Sequence, residues 1–106
     1  MTVTYSADAP DLETLREARG PVIVEFGVGW CPWCQSADPL IERTLAGRGV
    51  THYRVEDGKG RPLGRAFGVK RWPTLIFLCD GKELARCVRP DSEAALRQAL
   101  AQIIDT

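Results

Sequence analysis

A cysteine pair spaced two residues apart restricts the fold of this chain more than any other feature of its sequence. Cys31 and Cys34 follow a run of β-branched and aromatic residues at 22–28 (VIVEFGV) and precede a helical pattern over residues 34–46. The run is typical of a strand buried on both faces of a sheet. A C-x-x-C between such a strand and a helix indicates redox chemistry rather than one half of a zinc site.

The start of this helix predicts which of the two thiols reacts first. If Cys31 is the N-cap, Pro32 occupies the first helical position, where its missing N–H costs no hydrogen bond. The amides of Trp33 and Cys34 can then point at the Cys31 sulfur, and the helix dipole adds to their effect. We therefore expect Cys31 to be the nucleophile and Cys34, one turn into the helix, to resolve the mixed disulfide. The competing interpretation is a pair of unreactive thiols.

Hydrophobic periodicity and turn residues predict the other elements of an α/β chain. They are a helix over residues 10–19, a strand over 50–55, a short helix over 63–67, a hairpin of strands 74–79 and 82–89, and a helix from a cap at Asp91 to residue 104. Asp80-Gly81 between the hairpin strands is a type I′ turn signal. A chain of 106 residues suits one hydrophobic core, so we expect one domain over residues 1–106.

Charge and the N-terminal segment exclude several classes of partner. Fourteen basic and fourteen acidic residues give a formal net charge of zero, so no long-range field attracts nucleic acid or an anionic membrane. Residues 1–15 contain neither a basic nor an apolar signal-peptide region, and no apolar run approaches the roughly 18 residues of a membrane span. We expect a cytoplasmic protein, and in that reducing compartment four cysteines predict thiol chemistry rather than structural disulfides.

Two segments resemble the thioredoxin family. Residues 22–42 (VIVEFGVGWCPWCQSADPLIE) are similar to its strand, W-C-x-x-C and proline-containing helix, and residues 71–84 (RWPTLIFLCDGKEL) to its later proline-threonine strand and hairpin. The resemblance implies a thioredoxin fold, in which helices flank a central mixed sheet. It also implies a protein-disulfide oxidoreductase in which Cys31 attacks, Cys34 resolves and Pro73 is a cis proline facing the disulfide.

The resemblance also implies the partners and the cofactor state. Disulfide-containing proteins would be the substrates and a thioredoxin reductase or glutathione the electron donor. The redox-active disulfide of Cys31 and Cys34 would serve in place of any bound cofactor or metal, and we expect a monomer. Pro32-Trp33 is similar to the Pro-Tyr of glutaredoxins, so a glutathione-dependent enzyme is one alternative. A thioredoxin-fold binding module or assembly chaperone is the other.

Glu25 lies in the middle of the predicted buried strand, at the place of the family's buried carboxylate. An unpaired carboxylate there would be costly, so we expect burial to raise its pKa. In this interpretation Glu25 accepts the proton of Cys34. The alternative is a Glu25 head group that reaches solvent or pairs with Arg54. Two departures from the family are Gly27, where an aromatic residue is expected, and Arg89, where a glycine commonly follows the hairpin.

All three tryptophans adjoin the cysteine pair or Pro73, which predicts an aromatic rim around the reactive sulfur. Core packing is the alternative for Trp30. The backbone of Trp72 is expected to pair with an extended substrate strand, since proline has no N–H to offer. The predicted substrate-binding residues are Trp30, Pro32, Trp33, Trp72, Pro73 and Thr74.

The remaining cysteines and the single histidine are expected to have structural roles. With a two-residue turn in the hairpin, Cys79 would face Lys82. Cys87 would then face Thr74, on the opposite face of the hairpin. The two thiols should pack rather than form a disulfide, and their spacing does not suit a metal site. His52 has no acid or cysteine beside it in the sequence, so an ordinary strand position is expected.

Overall fold

Four strands form a mixed sheet in the computed structural model, which describes residues 4–104. The elements in chain order are α1 (Leu12–Glu17), β1 (Pro21–Gly27), α2 (Pro32–Leu45), β2 (Thr51–Glu56), α3 (Pro62–Ala66), β3 (Thr74–Cys79), β4 (Lys82–Val88) and α4 (Glu93–Ala101). The strand order is β2-β1-β3-β4, in which only the β1–β2 pair is parallel among the described residues. The mixed sheet flanked by helices confirms the predicted fold class.

β1 lies inside the sheet because its side chains are apolar on both faces. Ile23, Val24 and Phe26 are fully buried. Successive side chains of a strand alternate between faces. Ile23 accordingly packs in a core cluster with α2 and α4, while Val24 and Phe26 pack in a second cluster with α1 and α3. Glu25 is two residues from Ile23 and therefore points to the α2 side of the sheet.

The strand directions bring three chain segments to one edge of the sheet. β1 and β2 are parallel and end at this edge, while antiparallel β3 begins there, with Thr74 paired to Phe26. The Asp57 amide donates a 3.0 Å hydrogen bond to the Gly27 carbonyl, and the Trp72 indole donates a 2.8 Å bond to the Asp57 carboxylate. The segment after β1, the residue after β2 and the loop before β3 therefore lie together.

β3 and β4 are joined by the predicted two-residue turn. Asp80 and Gly81 have φ values of 50° and 81°, and a type I′ turn requires positive φ at both positions. The turn is tied to the start of β1, because the Asp80 carboxylate accepts a 2.7 Å hydrogen bond from the Gly20 amide. A Cβ at position 81 would lie 2.0 Å from the Arg16 carbonyl oxygen, so the close approach of α1 also requires glycine here.

A β-bulge in the hairpin shifts the predicted strand pairing. Cys79 is opposite Lys82 as predicted, but Cys87 is opposite Leu75, so the prediction that Cys87 faces Thr74 is wrong. β4 contributes one residue more than β3 at the bulge, which inverts the alternation of its side chains beyond that point. Cys79 and Cys87 consequently pack against the same core cluster rather than on opposite faces.

Side chains cap the start of α1 and of α4, and the second of these caps differs from the prediction. The Asp11 carboxylate accepts a 2.7 Å hydrogen bond from the Thr14 amide at the start of α1. The N-cap of α4 is Ser92, whose hydroxyl accepts a 3.2 Å bond from the Ala95 amide, so the prediction of Asp91 is wrong. Both side chains have a capping oxygen, and the local sequence does not choose between them. Within residues 4–104, no helix has the length and apolar character needed to cross a membrane.

Candidate active site

Cys31 is the N-cap of α2, as the sequence predicts, and Pro32 is the first residue of the helix. Cys31 and Cys34 are both thiols in this structure, and both are buried. The Cys31 amide donates a 3.2 Å hydrogen bond to the Val28 carbonyl, and its carbonyl accepts a 3.0 Å bond from the Gln35 amide. The backbone therefore holds Cys31 at the positive end of the α2 dipole.

Cys34 has a different environment from Cys31. Burial raises the pKa of the Cys34 thiol to about 11, and the proximity of Cys31 acts in the same direction. Hydrogen bonds with the Val28 backbone and the Tyr5 hydroxyl oppose the rise without cancelling it. Cys34 is therefore a neutral thiol at pH 7.

The loop before β3 faces the cysteine pair. The Trp72 ring packs against the small cluster that contains both cysteines. The peptide bond between Trp72 and Pro73 is cis. The Thr74 hydroxyl donates a 2.6 Å hydrogen bond to the Arg71 carbonyl, which closes the turn into the strand. Trp72 of this loop is thus next to the cysteine pair.

Arg89 connects this loop to α2. Its amide donates a 2.8 Å hydrogen bond to the Pro73 carbonyl, and its Nε donates a 2.9 Å bond to the Trp72 carbonyl. Its guanidinium lies over the Trp33 ring, 4.5 Å from the ring centre. Arg89 has a φ of 48°, a conformation that suits the glycine expected at this position. The arginine keeps that conformation and adds two side-chain contacts.

The indole rim consists of Trp30 and Trp33, which are exposed, and Trp72, which is partly buried. Trp30 is 72% exposed and Trp33 is 56% exposed, so the alternative of core packing for Trp30 is wrong. The Trp30 ring meets the Trp72 ring edge to face, with 5.8 Å between the ring centres. Trp30 and Trp33 therefore expose apolar surface near the cysteine pair.

Glu25 is fully buried and has polar partners on both carboxylate oxygens. Arg54 Nε lies 3.1 Å and His52 Nε2 2.9 Å from Oε1, and the Tyr5 hydroxyl donates to Oε2. Burial by itself raises the pKa of Glu25, but His52, Arg54 and Tyr5 lower it below the ordinary value of 4.5. The predicted rise in pKa is wrong because it assumed an unpaired carboxylate. The alternative, a pair with Arg54, is confirmed.

The register of β1 and β2 places these partners around Glu25. Arg54 is directly opposite Glu25 in the parallel pair, and His52 lies two residues earlier on the same face of β2. The sequence prediction of an ordinary strand position for His52 therefore misses its contact with Glu25. Arg54 also contacts Asp38 and Glu42 of α2, the latter at 3.2 Å. One arginine thus connects the sheet to the helix that carries the cysteines.

Tyr5 is a further member of the site that local sequence patterns do not indicate. It reaches Glu25 because the N-terminal segment runs beside β2, where Ser6 makes two backbone hydrogen bonds of 2.9 and 2.8 Å. The sequence feature that could have indicated Tyr5 is Gly27, which stands where an aromatic residue is expected. An aromatic residue missing from a buried strand leaves a space, and Tyr5 fills it.

A thiol at a helix N-cap, with a second thiol buried one turn further on, is the arrangement of a dithiol redox site. Cys31 stands at the positive end of the helix dipole, although its side chain accepts no capping hydrogen bond from the helix-end amides. Exposed indoles lie beside it. The fold and the site therefore define the class of thiol–disulfide oxidoreductases.

Comparisons with known proteins identify the family. The family model for thioredoxin matches residues 4–102, and the chain belongs to the thioredoxin family. The chain is similar to thioredoxin from Mycolicibacterium smegmatis, with 29% identity over 107 residues that cover 97% of this chain and 95% of that protein. It is also similar to thioredoxin from Chlamydia muridarum, with 40% identity over 73 residues that cover 67% and 71%.

A solved structure gives the same family. Thioredoxin 2 from Pseudomonas aeruginosa PAO1, in its reduced form, matches with a TM-score of 0.81 and 50% sequence identity over 93% of each chain. Like its thioredoxin homologues, the protein is a protein-disulfide oxidoreductase. Membership of the family implies disulfide-containing proteins as substrates and a reductase as partner in general terms.

Proposed function

We propose that this protein reduces disulfide bonds of other proteins through a mixed disulfide on Cys31 that Cys34 resolves. The observation that carries the proposal is the position of the sulfurs, with Cys31 at the N-cap of α2 and Cys34 buried one turn along. In this proposal Cys31 is the attacking sulfur, at the positive end of the α2 dipole. Burial keeps Cys34 protonated, with a pKa of about 11. The two thiols therefore act in a fixed order.

Each step exchanges one sulfur–sulfur bond for another. The Cys31 thiolate attacks one sulfur of a substrate disulfide, and the other substrate sulfur leaves as a thiolate. Cys34 then loses its proton and attacks the Cys31 sulfur, which releases the second substrate thiolate. The substrate gains two electrons, and the protein is left with a disulfide between Cys31 and Cys34. In this proposal that disulfide is the redox cofactor.

The indole rim and the loop before β3 are assigned to substrate binding. Trp30 and Trp33 expose apolar surface next to Cys31, as a docking surface requires. An extended substrate strand would pair with the amide of Trp72, because the Trp72 carbonyl already accepts a hydrogen bond from Arg89. The other residues assigned to substrate contact are Pro32, Pro73 and Thr74.

The proposal includes a cytoplasmic monomer that a thioredoxin reductase returns to the dithiol form. The family relationship supports a reductase as the electron donor. The electron donor can be identified by measuring turnover of a disulfide substrate with NADPH and purified thioredoxin reductase, and comparing it with turnover with glutathione. Faster turnover with glutathione would assign the donor to the glutaredoxin-like alternative.

Cysteine substitutions test the order of the two thiols. Cys34→Ser should accumulate a mixed disulfide on Cys31, which mass spectrometry of the trapped complex identifies. Cys31→Ser should form no such complex and should lose insulin disulfide reduction. Cys79→Ser is the control and should keep full activity, because Cys79 lies at the hairpin turn away from the site. Activity that persists in Cys31→Ser would overturn the proposal.

A further inference from the structure

Tyr5 occupies the space between the buried carboxylate and the resolving thiol. Its hydroxyl donates a hydrogen bond to Glu25 Oε2, and its ring packs against the cluster that contains Cys34. Two contacts fix its position. Ser6 is paired with β2, and the Arg54 guanidinium lies 5.6 Å from the centre of the Tyr5 ring. The phenol oxygen is therefore held at one place in the site.

Gly27 makes room for this arrangement. A Cβ at position 27 would lie 2.6 Å from Cζ and 2.7 Å from the hydroxyl oxygen of Tyr5, and 2.8 Å from the sulfur of Cys34. All three distances are shorter than a real Cβ tolerates. The phenol oxygen and the sulfur thus border the same small volume.

We propose that the Tyr5 hydroxyl transfers the proton of Cys34 to Glu25 when Cys34 resolves the mixed disulfide. The inference rests on the proposed function, because it concerns the second step of that reaction. A phenol suits this role since its oxygen donates one hydrogen bond and accepts others. The O–H of Tyr5 points to Glu25, which leaves its lone pairs for the thiol of Cys34.

The transfer balances protons and sulfur–sulfur bonds. Tyr5 passes its own proton to Glu25 Oε2 as its oxygen takes the proton of Cys34. The Cys34 sulfur then bonds to the Cys31 sulfur, the bond between Cys31 and the substrate breaks, and the substrate leaves as a thiolate. Glu25 passes its proton on through His52, which lies 2.9 Å from Oε1 and is partly exposed, and the substrate thiolate takes one up from solvent, so the step consumes no proton. Reduction of the protein disulfide runs the same transfers backwards.

The groups that face Tyr5 suit a relay. Burial and the negative charge of Glu25 raise the pKa of Tyr5, so the phenol is neutral between transfers. Although burial acts in the other direction, His52 and Arg54 help to hold the pKa of Glu25 below its ordinary value, so Glu25 does not retain the proton. Once the protons have moved, the Tyr5 O–H points at the Cys34 sulfur, and a hydrogen bond donated to the thiolate lowers the pKa of Cys34 against the larger effect of burial.

Tyr5→Phe separates the two steps of the reaction. The substitution keeps the ring that fills the space beside Gly27 and removes only the hydroxyl. We expect the resolving step to slow about 10²-fold, within the range that general acid–base groups contribute, while attack by Cys31 keeps its rate. Both rates can be measured by rapid mixing with a substrate that gives one signal when it forms the mixed disulfide on Cys31 and another when Cys34 releases it. Tyr53→Phe, whose ring packs against the cluster on the other sheet face, is the control and should change neither.

Two further variants test the same relay. Glu25→Gln combined with Tyr5→Phe should slow resolution no more than Tyr5→Phe alone, because both substitutions interrupt one path. Gly27→Ala would crowd both the phenol and the Cys34 sulfur, so it should slow resolution at least as much as Tyr5→Phe. Resolution at the wild-type rate in Tyr5→Phe, or fully additive losses in the double variant, would overturn the assignment of Tyr5. A wild-type protein that forms no mixed disulfide on Cys31 would instead overturn the proposed function.

Discussion

Replacing Glu25 with glutamine tests whether the buried carboxylate stabilises the fold. Glu25 is fully buried, with Arg54 at 3.1 Å and His52 at 2.9 Å from the same oxygen. Glutamine has almost the same shape, but it carries no charge and has an NH₂ group in place of one oxygen. Arg54 therefore loses a charged partner. We expect Glu25→Gln to lower the free energy of unfolding at pH 7.

The size of the loss follows from the partners that Arg54 keeps. Removing one member of a buried ion pair costs about 3–5 kcal/mol when the other charge is left unpaired. Arg54 still contacts Asp38 and Glu42, so the expected loss is at the lower end, about 3 kcal/mol. For a chain of this size, that loss corresponds to a decrease of roughly 12–24 °C in Tm.

The loss should depend on pH in a direction set by the pKa of Glu25. Burial raises this pKa, but His52, Arg54 and Tyr5 lower it below the ordinary value of 4.5. The folded state therefore binds a proton at Glu25 less readily than the unfolded state. The stability from the ionised carboxylate is complete above the unfolded-state pKa and is lost as the pH falls through the folded-state pKa. The difference between wild type and Glu25→Gln should shrink in that acidic range.

Urea unfolding followed by tryptophan fluorescence, at neutral and acidic pH, measures this difference. Glu42→Gln is the matched control, because Glu42 contacts the same Arg54 but is 63% exposed. A surface pair of this kind contributes about 0–1 kcal/mol. A Glu25→Gln protein as stable as wild type at pH 7, or a loss that does not change with pH, would refute the conclusion that Glu25 is an ionised, stabilising carboxylate.

Three further predictions concern single contacts. In Cys31→Ser, the pKa of Cys34 read from the pH dependence of its alkylation by iodoacetamide should stay above that of an exposed cysteine, because burial, the largest cause of the rise, remains when the contribution of Cys31 is removed; a midpoint near that of an exposed cysteine would contradict this. Gly81→Ala should lower Tm, since a Cβ would meet the Arg16 carbonyl at 2.0 Å and the left-handed backbone costs other residues about 1–2 kcal/mol; an unchanged melting curve would be incompatible with this turn. Arg89→Ala should raise the KM for a protein substrate several-fold with little change in the rate of Cys31 alkylation, because it removes the hydrogen bond that holds the loop before β3. An unchanged KM would show that this hydrogen bond does not contribute to substrate binding.

Local signals predicted the parts of the fold and site that depend on neighbouring residues. Cys31 is an N-cap because Pro32 can follow it only in the first turn of a helix, where no N–H is needed. Asp80 and Gly81 form a type I′ turn because both tolerate positive φ. Each of these features is decided within a few residues, and the structure confirms them.

Contacts between distant segments were not predictable in the same way. His52 reaches Glu25 only because of the register between β1 and β2, and Cys87 changes face because of a bulge. Tyr5 depends on the path of the N-terminal segment beside β2. The direction of the shift in the Glu25 pKa was predicted wrongly for the same reason, because the shift is set by partners that the sheet brings together.

Tyr5 and Gly27 are far apart in the chain but share one volume. Neither position can change size alone, because a side chain at 27 would occupy the space that the phenol fills. Among related sequences, the two positions should therefore vary as a pair, with a bulky residue at 27 accompanied by a small one at 5. A chain with a bulky residue at 27 and a small residue at 5 would fill this volume equally well but would lack the Tyr5 hydroxyl. Divergence at this pair would thus change the route of a proton while leaving the core equally well filled.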